Sequence, residues 1–240
     1  MKYQIIEINK IINGNFLHEN SSSTITQVCI DTRQISSANQ SLFFCLVARN
    51  DGHQFIENAY QKGIRNFVVS TKIDTEKYQD ANFILVDNTL HALQQLAIYH
   101  RQQFNIPVIG ITGSNGKTIV KEWLYQLLSS DKHVVKSPKS YNSQIGVALS
   151  VLNMENEDEI AIFEAGISTV GEMENLQKMI QPTIGILTNI GSAHDAGFSS
   201  REEKVEEKLK LFKACETLIS NDDFSLVYGA VGKMIKENPT

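Results

Sequence analysis

Residues Val108 to Ile111 form a short apolar run, and the chain continues directly into Thr112-Gly113-Ser114-Asn115-Gly116-Lys117-Thr118. A second stretch follows in which Val120, Trp123, Leu124, Leu127 and Leu128 recur with helical period. A strand that is apolar on both faces must be covered on both faces, so this pattern places Val108–Thr112 at the centre of a parallel sheet with helices packed on it. The connecting loop has the composition of a phosphate cradle. Glycines let successive backbone N–H groups approach an anion, the helix N-terminus adds its positive dipole end, Lys117 can reach the outer phosphates and Thr118 can offer a hydroxyl to Mg²⁺. The spacing is a variant, Gly110-x-x-Gly113-x-x-Gly116-Lys117-Thr118, because Ile111 stands where the strict pattern has glycine. Gly-Lys-Thr alone could be a turn that binds nothing; the strand before it and the helix after it select nucleotide binding, with Gly113, Ser114, Asn115, Gly116, Lys117 and Thr118 as the binding residues.

The rest of the chain is consistent with that core. Its 240 residues, 42% hydrophobic and 20% charged, suit a soluble globular protein of one large or two ordinary domains. No apolar run approaches the roughly twenty residues of a membrane span, and the N-terminal residues do not resemble a signal peptide, so the expected location is the cytoplasm. Cys29, Cys45 and Cys215 include no C-x-x-C pair and read as free thiols. A net charge of −5 without a cluster of lysine and arginine gives no footprint for nucleic acid.

The fold class expected is α/β, with a small mixed α/β domain over residues 1–104 and a parallel-sheet domain over 105–240. In the first, helices are expected at Ile5–Ile12, Gln54–Lys62 and Leu90–Phe104, and strands at Thr24–Ile30, Leu42–Val47, Asn66–Val69 and Phe83–Val86. From Pro107 strands and helices alternate, with strands at Val108–Thr112, Val134–Lys136, Ile160–Glu164, Thr183–Thr188 and Thr217–Ser220. Functional loops in such a sheet leave the carboxyl ends of the strands. Two of those ends carry chemistry: Glu164 closes one strand, and Thr188 to Asp195, which includes His194, follows another. Singly, Glu164 could be a capping carboxylate and His194 a solvated loop histidine; their shared topological position favours a metal-assisted phosphate site.

The segment Arg201–Ala214 reads as a helix whose apolar stripe is Val205, Leu209 and Phe212, and Lys208 falls on that same face. Either the lysine stem packs while its ammonium reaches water, or the amine is desolvated and chemically special.

Together these segments resemble the muramyl peptide ligases of bacterial cell-wall synthesis, over almost the whole chain. Asp31-Thr32-Arg33, Leu42-Phe43-Phe44 and Asp51-Gly52-His53-Gln54-Phe55 match the family's UDP-sugar-binding segments, Thr112 to Thr118 its ATP loop, and Tyr141 to Val147 a segment containing Asn142. Glu164-Ala165-Gly166 with Gly171-Glu172-Met173, and Asn189 to Phe198, resemble the branch that adds D-Ala-D-Ala to UDP-N-acetylmuramoyl-tripeptide. Val120 to Trp123 and Ser137 to Gly146 are similar to the form some bacteria fuse to an alanine racemase.

The resemblance implies that the first domain binds the UDP-sugar through Thr32, Arg33, Asp51, Gly52 and His53, with Asn142 also a substrate residue. It implies that Mg²⁺ is held by Thr118 and Glu164, that a second metal is held by His194 and a carbamylated Lys208, and that Lys117, His194 and Lys208 are catalytic. It also implies that the central domain is incomplete, that an acceptor-binding domain is absent and that the chain alone does not turn over. Two other readings stand beside it: an amide ligase of the folylpolyglutamate synthase type, against which Asp51-Gly52-His53 speaks, and a non-catalytic nucleotide-binding module.

Overall fold

The computed structural model describes residues 1–240 with the exception of 34, 36, 49, 192–196, 222–224 and 238–240. The chain divides into two units, Met1–Tyr99 and His100–Thr240.

In the first unit the elements are β1 (Tyr3–Gln4), α1 (Ile5–Ile11), β2 (Asn15–His18), β3 (Thr24–Ile25), β4 (Gln27–Cys29), β5 (Ser41–Phe44), α2 (Ile56–Gln61), β6 (Asn66–Val69) and β7 (Asn82–Leu85); α3 (Thr89–Arg101) crosses the division. The main sheet has the order β2-β7-β6-β5-β4 and is parallel except for β2, which is antiparallel to β7. Its centre is aromatic: the rings of Phe67 and Phe83 stack with centroids 4.8 Å apart, and Phe43 meets Phe67 edge-on. Every residue of β5 and β6 is buried; each strand opens on a polar residue, Ser41 or Asn66, and is apolar thereafter.

Several boundaries differ from the sequence expectation, and β1 and β2 had not been expected. The strand expected over Thr24–Ile30 is two strands: β3 pairs antiparallel with β1 and β4 pairs parallel with β5. Thr26 between them donates its N–H to the Gln40 carbonyl. The strand expected to reach Val47 ends at Phe44, because the chain turns back so that Val47 bridges Asp51 and is left 58% exposed. The third helix ends at Arg101 rather than Phe104.

In the second unit the elements are β8 (Val108–Thr112), α4 (Lys117–Leu128), β9 (Val134–Lys136), α5 (Gln144–Val151), β10 (Ile160–Glu164), α6 (Glu172–Ile180), β11 (Ile184–Leu187), α7 (Arg201–Leu209), β12 (Thr217–Ser220) and α8 (Ser225–Glu237). The sheet is wholly parallel with order β12-β11-β8-β10-β9. Strand β8, all five residues buried, is therefore central, and the crossovers leave it in both directions. Helix α4 covers one face through Val120, Leu124 and Leu128 against Ile109, Ile111 and Ile162. Trp123 and Leu127, expected on that apolar face, are instead 64% and 72% exposed. Helix α7 stops at Leu209, short of Ala214, and tightens into a 3₁₀ turn over Lys210–Phe212.

Two buried side chains secure the start of this unit. Arg101 donates to the carbonyls of Ile180, Gln181 and Phe104, tying the end of α3 to the end of α6. His100, 3% exposed, contacts the Met154 carbonyl through Nε2 at 3.0 Å and meets the Phe104 ring edge-on.

Burial pushes the His100 pKa down from 6.5 to about 4. The unfolded imidazole takes up its proton near the ordinary value and the folded one only near the lower value. The stabilisation is therefore complete above the unfolded value and is lost as pH falls towards the folded one. His100→Gln should flatten the acid limb of the stability curve between those limits. The difference between the two chains should amount to at most ~3 kcal/mol, read from urea denaturation at a series of pH values. Parallel curves for the two chains would show that His100 does not set this dependence.

Candidate functional site

The site is built on three neighbouring strand ends. Register places Glu164 of β10 beside Ile111, and Leu187 of β11 beside Thr112. The Thr188 N–H continues the ladder to the Thr112 carbonyl at 2.9 Å, and the Ala165 N–H bonds the Ile111 carbonyl at 2.8 Å. Whatever follows these strands is thereby brought to one edge.

The loop from β8 to α4 turns at Gly113, whose φ of 146° belongs to the region that favours glycine. A Cβ there would lie 2.0 Å from Thr188 Oγ1. Gly116, in the left-handed conformation, is the N-cap of α4. The segment after β11 braces this loop: the Ser114 N–H donates to the Asn189 carbonyl, the Asn115 N–H to Asn189 Oδ1, and Thr188 Oγ1 to the Asn115 carbonyl. Lys117 Nζ folds back over its own loop, donating to the Gly113 carbonyl at 2.8 Å. Burial lowers the Lys117 pKa, with Glu164 opposing the shift.

Thr118 and Glu164, separated by 46 positions in the chain, meet here: Thr118 Oγ1 donates to Glu164 Oε2 at 3.1 Å. Glu164 is fully buried. Its other oxygen, Oε1, lies 2.9 Å from Lys121 Nζ as an ion pair but receives no aligned hydrogen bond among the described residues. The Thr118 hydroxyl and Glu164 Oε2 form a hard-oxygen donor pair that suits Mg²⁺ beside phosphates, where one or two protein ligands suffice. Among the described residues no three His, Cys, Asp or Glu side chains cluster as a metal site.

Lys208 comes to the same loop from α7. It is 2% exposed, so its ammonium does not reach water, and Nζ lies 3.4 Å from the Gly113 carbonyl that Lys117 also uses. Burial, then the charges of Lys117 and Lys204, push its pKa down to about 7. His194 lies outside the described residues. Asn142 is held at the edge by its carbonyl, which accepts from the Gly166 N–H, and its side chain lies so close to Gly166 that a Cβ there would meet it at 2.9 Å.

Three buried charges had not been singled out from the sequence. Lys204, 1% exposed, donates to the Gly191 carbonyl at 2.6 Å, and Ser114 Oγ donates to the same oxygen. Glu207, 2% exposed, accepts from the N–H groups of Gly171 and Met173, capping α6 where Gly171 has no side chain to do so. Lys121, fully buried, falls three and seven residues before Leu124 and Leu128 on the sheet-facing side of α4. That spacing was the available signal, as it was for Lys208.

In the first unit the expected substrate residues also follow strand ends. Arg33 forks onto Asp31, which draws the Asp31 pKa down to about 2, while its own side chain remains 85% exposed. Thr32 gives its carbonyl to Lys62 Nζ. Asp51 accepts from the His53 N–H and contacts His53 Nδ1 at 2.5 Å, and His53 Nε2 accepts from the Ser70 N–H after β6. That acceptor role leaves the ring proton on Nδ1, facing Asp51. Gly52 packs so tightly on the end of β5 that a Cβ would lie 2.7 Å from the Leu46 nitrogen and 2.8 Å from its carbonyl oxygen. The segments 31–33 and 51–53 thus flank the ends of adjacent strands β4 and β5.

The Mur ligase middle domain pattern matches residues 111–236, and the Mur ligase family catalytic domain pattern matches residues 24–101. The chain is 34% identical over 230 residues to a UDP-N-acetylmuramoyl-tripeptide–D-alanyl-D-alanine ligase of Bacillus subtilis, covering 95% of this chain and 49% of that protein. Among solved structures, a MurF from Acinetobacter baumannii superposes with a TM-score of 0.84 at 24% identity, over 97% of this chain and 52% of that one. A Thermotoga maritima MurF ligase in complex with ADP superposes with a TM-score of 0.76 at 28% identity, over 87% and 48% of the two chains. The chain spans about half the length of the curated relatives it matches. It belongs to the Mur ligase family.

Proposed function

We propose that this chain forms the UDP-sugar- and ATP-binding part of a ligase that adds D-Ala-D-Ala to UDP-N-acetylmuramoyl-tripeptide, a cytoplasmic step of peptidoglycan precursor synthesis. Residues 1–104 would carry the UDP-sugar site and residues 105–240 the ATP site. The observation that carries this reading is the meeting of Thr118 and Glu164 beside the Lys117 loop, a hydroxyl and a buried carboxylate set where the outer phosphates of a nucleotide would lie.

In this reading the N–H groups of the 113–118 loop and Lys117 hold the phosphates and neutralise charge that develops on the transferring phosphoryl group. Thr118 Oγ1 and Glu164 would hold Mg²⁺, which supplies further neutralisation when bound. The peptide carboxylate attacks the γ-phosphorus and ADP leaves, giving an acyl phosphate; the amine of D-Ala-D-Ala then adds to the acyl carbon and phosphate departs. Lys208 would have a separate task. With a pKa near 7 its amine is substantially neutral at physiological pH and can add to CO₂, losing a proton to give a carbamate whose oxygens suit a hard cation. His194 is the proposed companion ligand. Asn142 would contact the substrate beside Gly166, and Thr32, Arg33, Asp51, Gly52 and His53 would form the UDP end of the sugar site.

Two measurements test the reading. Calorimetry should show Mg·triphosphate binding to the wild-type chain, weakened about tenfold or more by Lys117→Ala, the loss expected for one charge-assisted contact. Equal affinity would remove the phosphate-loop assignment. Titrating UDP-N-acetylmuramic acid should shift NMR signals in both the 31–33 and 51–53 segments, and absence of shifts in both would count against the sugar site.

A further inference from the structure

Lys121 is not one of the residues that hold nucleotide in the reading above, yet it is the most enclosed cation near the site. It is fully buried, and four oxygens surround its ammonium: the Ser137 carbonyl at 2.9 Å, the Lys139 carbonyl in a short hydrogen bond, Glu164 Oε1 at 2.9 Å and Glu122 Oε1 at 3.1 Å. These oxygens come from the loop after β9, the end of β10 and α4 itself. The cluster continues outward, since Glu122 Oε2 is paired with Lys136, whose ammonium sits 3.9 Å from the Tyr125 ring centroid. A buried ammonium has this many acceptors only where the fold is organised around it.

The geometry points to Lys121 as a positioning residue for the metal site: it holds Glu164 Oε1 so that Oε2 stays turned to Thr118, and it pins the 137–139 carbonyls on the path to Asn142. This rests on the proposed role of Thr118 and Glu164 as magnesium ligands. Two effects of Lys121 on a metal oppose each other. Its charge repels a divalent cation, whereas its grip fixes the carboxylate rotamer. Among the described residues Oε1 receives no aligned hydrogen bond and has only the ion pair to Lys121, so without Lys121 the carboxylate would be held by the single bond from Thr118 Oγ1 to Oε2. Orientation is therefore the dominant effect, and removal of the ammonium should weaken the metal site although it removes a like charge.

The test compares the whole wild-type chain with Lys121→Met, which keeps the stem and loses the charge. Calorimetry would follow inorganic triphosphate with and without Mn²⁺, with circular dichroism as the check of folding. We expect metal-free triphosphate to bind both within about twofold. The Mn²⁺ affinity of the triphosphate-bound chain should fall roughly 10- to 100-fold in the variant, the range seen when groups that orient metal ligands are removed. If the Met variant does not fold, Lys121→Ala refolded with propylammonium, which replaces the missing atoms, carries the same comparison. Propylammonium should restore Mn²⁺ binding and the neutral isostere 1-propanol should not. Unchanged or tighter Mn²⁺ binding in the folded variant, or equal rescue by both additives, would overturn the assignment of Lys121 while leaving the metal site standing. Failure of the wild-type chain to gain affinity from Mn²⁺ would overturn the metal site itself, and with it the role of Lys121.

Discussion

The shared register of β10, β8 and β11 is the constraint on which the second unit depends. Because β8 is hydrogen-bonded on both sides, its last residue cannot move without its neighbours, and Glu164, Gly113 and Thr188 leave the sheet at fixed offsets from one another. The turn at Gly113 is possible only because no side chain stands where Thr188 Oγ1 approaches. The N–H groups at the start of α4 and the oxygens of Thr118 and Glu164 are thus positioned by backbone pairing in the sheet together with the bracing of the loop by Thr188 and Asn189. A site on such a base is pre-organised to the precision of a ladder.

Charge burial is the second organising element. Lys121, Lys204, Lys208, Glu164 and Glu207 are all at most 2% exposed, in a molecule whose other lysines and glutamates are mostly at the surface. Leaving such groups unpaired inside a protein costs several kcal/mol each, so each must have been matched to a partner. The pairing differs by residue. Glu207 serves a helix terminus, Lys121 a carboxylate and two carbonyls, and Lys204 the Gly191 carbonyl that Ser114 of the 113–118 loop also uses. Lys208 is the exception in kind. Among the described residues its Nζ meets the Gly113 carbonyl at 3.4 Å, and burial first, then the charges of Lys117 and Lys204, push its pKa down to about 7. A buried lysine beside the 113–118 loop differs in environment from an ordinary surface lysine.

The first unit applies the same topological rule to different side chains. Its parallel strands β4, β5 and β6 deliver Asp31-Thr32-Arg33, Asp51-Gly52-His53 and Ser70 to their carboxyl ends, and His53 joins two of these ends by contacting Asp51 with one ring nitrogen and accepting from Ser70 N–H with the other. The Arg33 side chain, forked onto Asp31, remains largely exposed at this edge.

What the sequence determined by itself was whatever depends on local pattern: the apolar strand, the glycine-lysine-threonine loop, the alternation of strand and helix, and the residues that follow each strand end. These are legible because periodicity and turn chemistry act over a few neighbouring positions. The split of the strand expected at Thr24–Ile30, the exposure of Trp123 and Leu127, and the end of α7 at Leu209 were not legible, since each is decided by what packs or pairs from elsewhere in the chain. The same division runs through the site. Lys117, Thr118 and Glu164 could be named from motif and position, but only the tertiary structure decided that Thr118 would bond Glu164, that Glu207 would cap a helix it is not part of, and that Lys121 would sit among oxygens from three segments. The physical reason is that a charge enters a protein interior only where distant parts of the chain supply its partners, and nothing local to the sequence records which parts those will be.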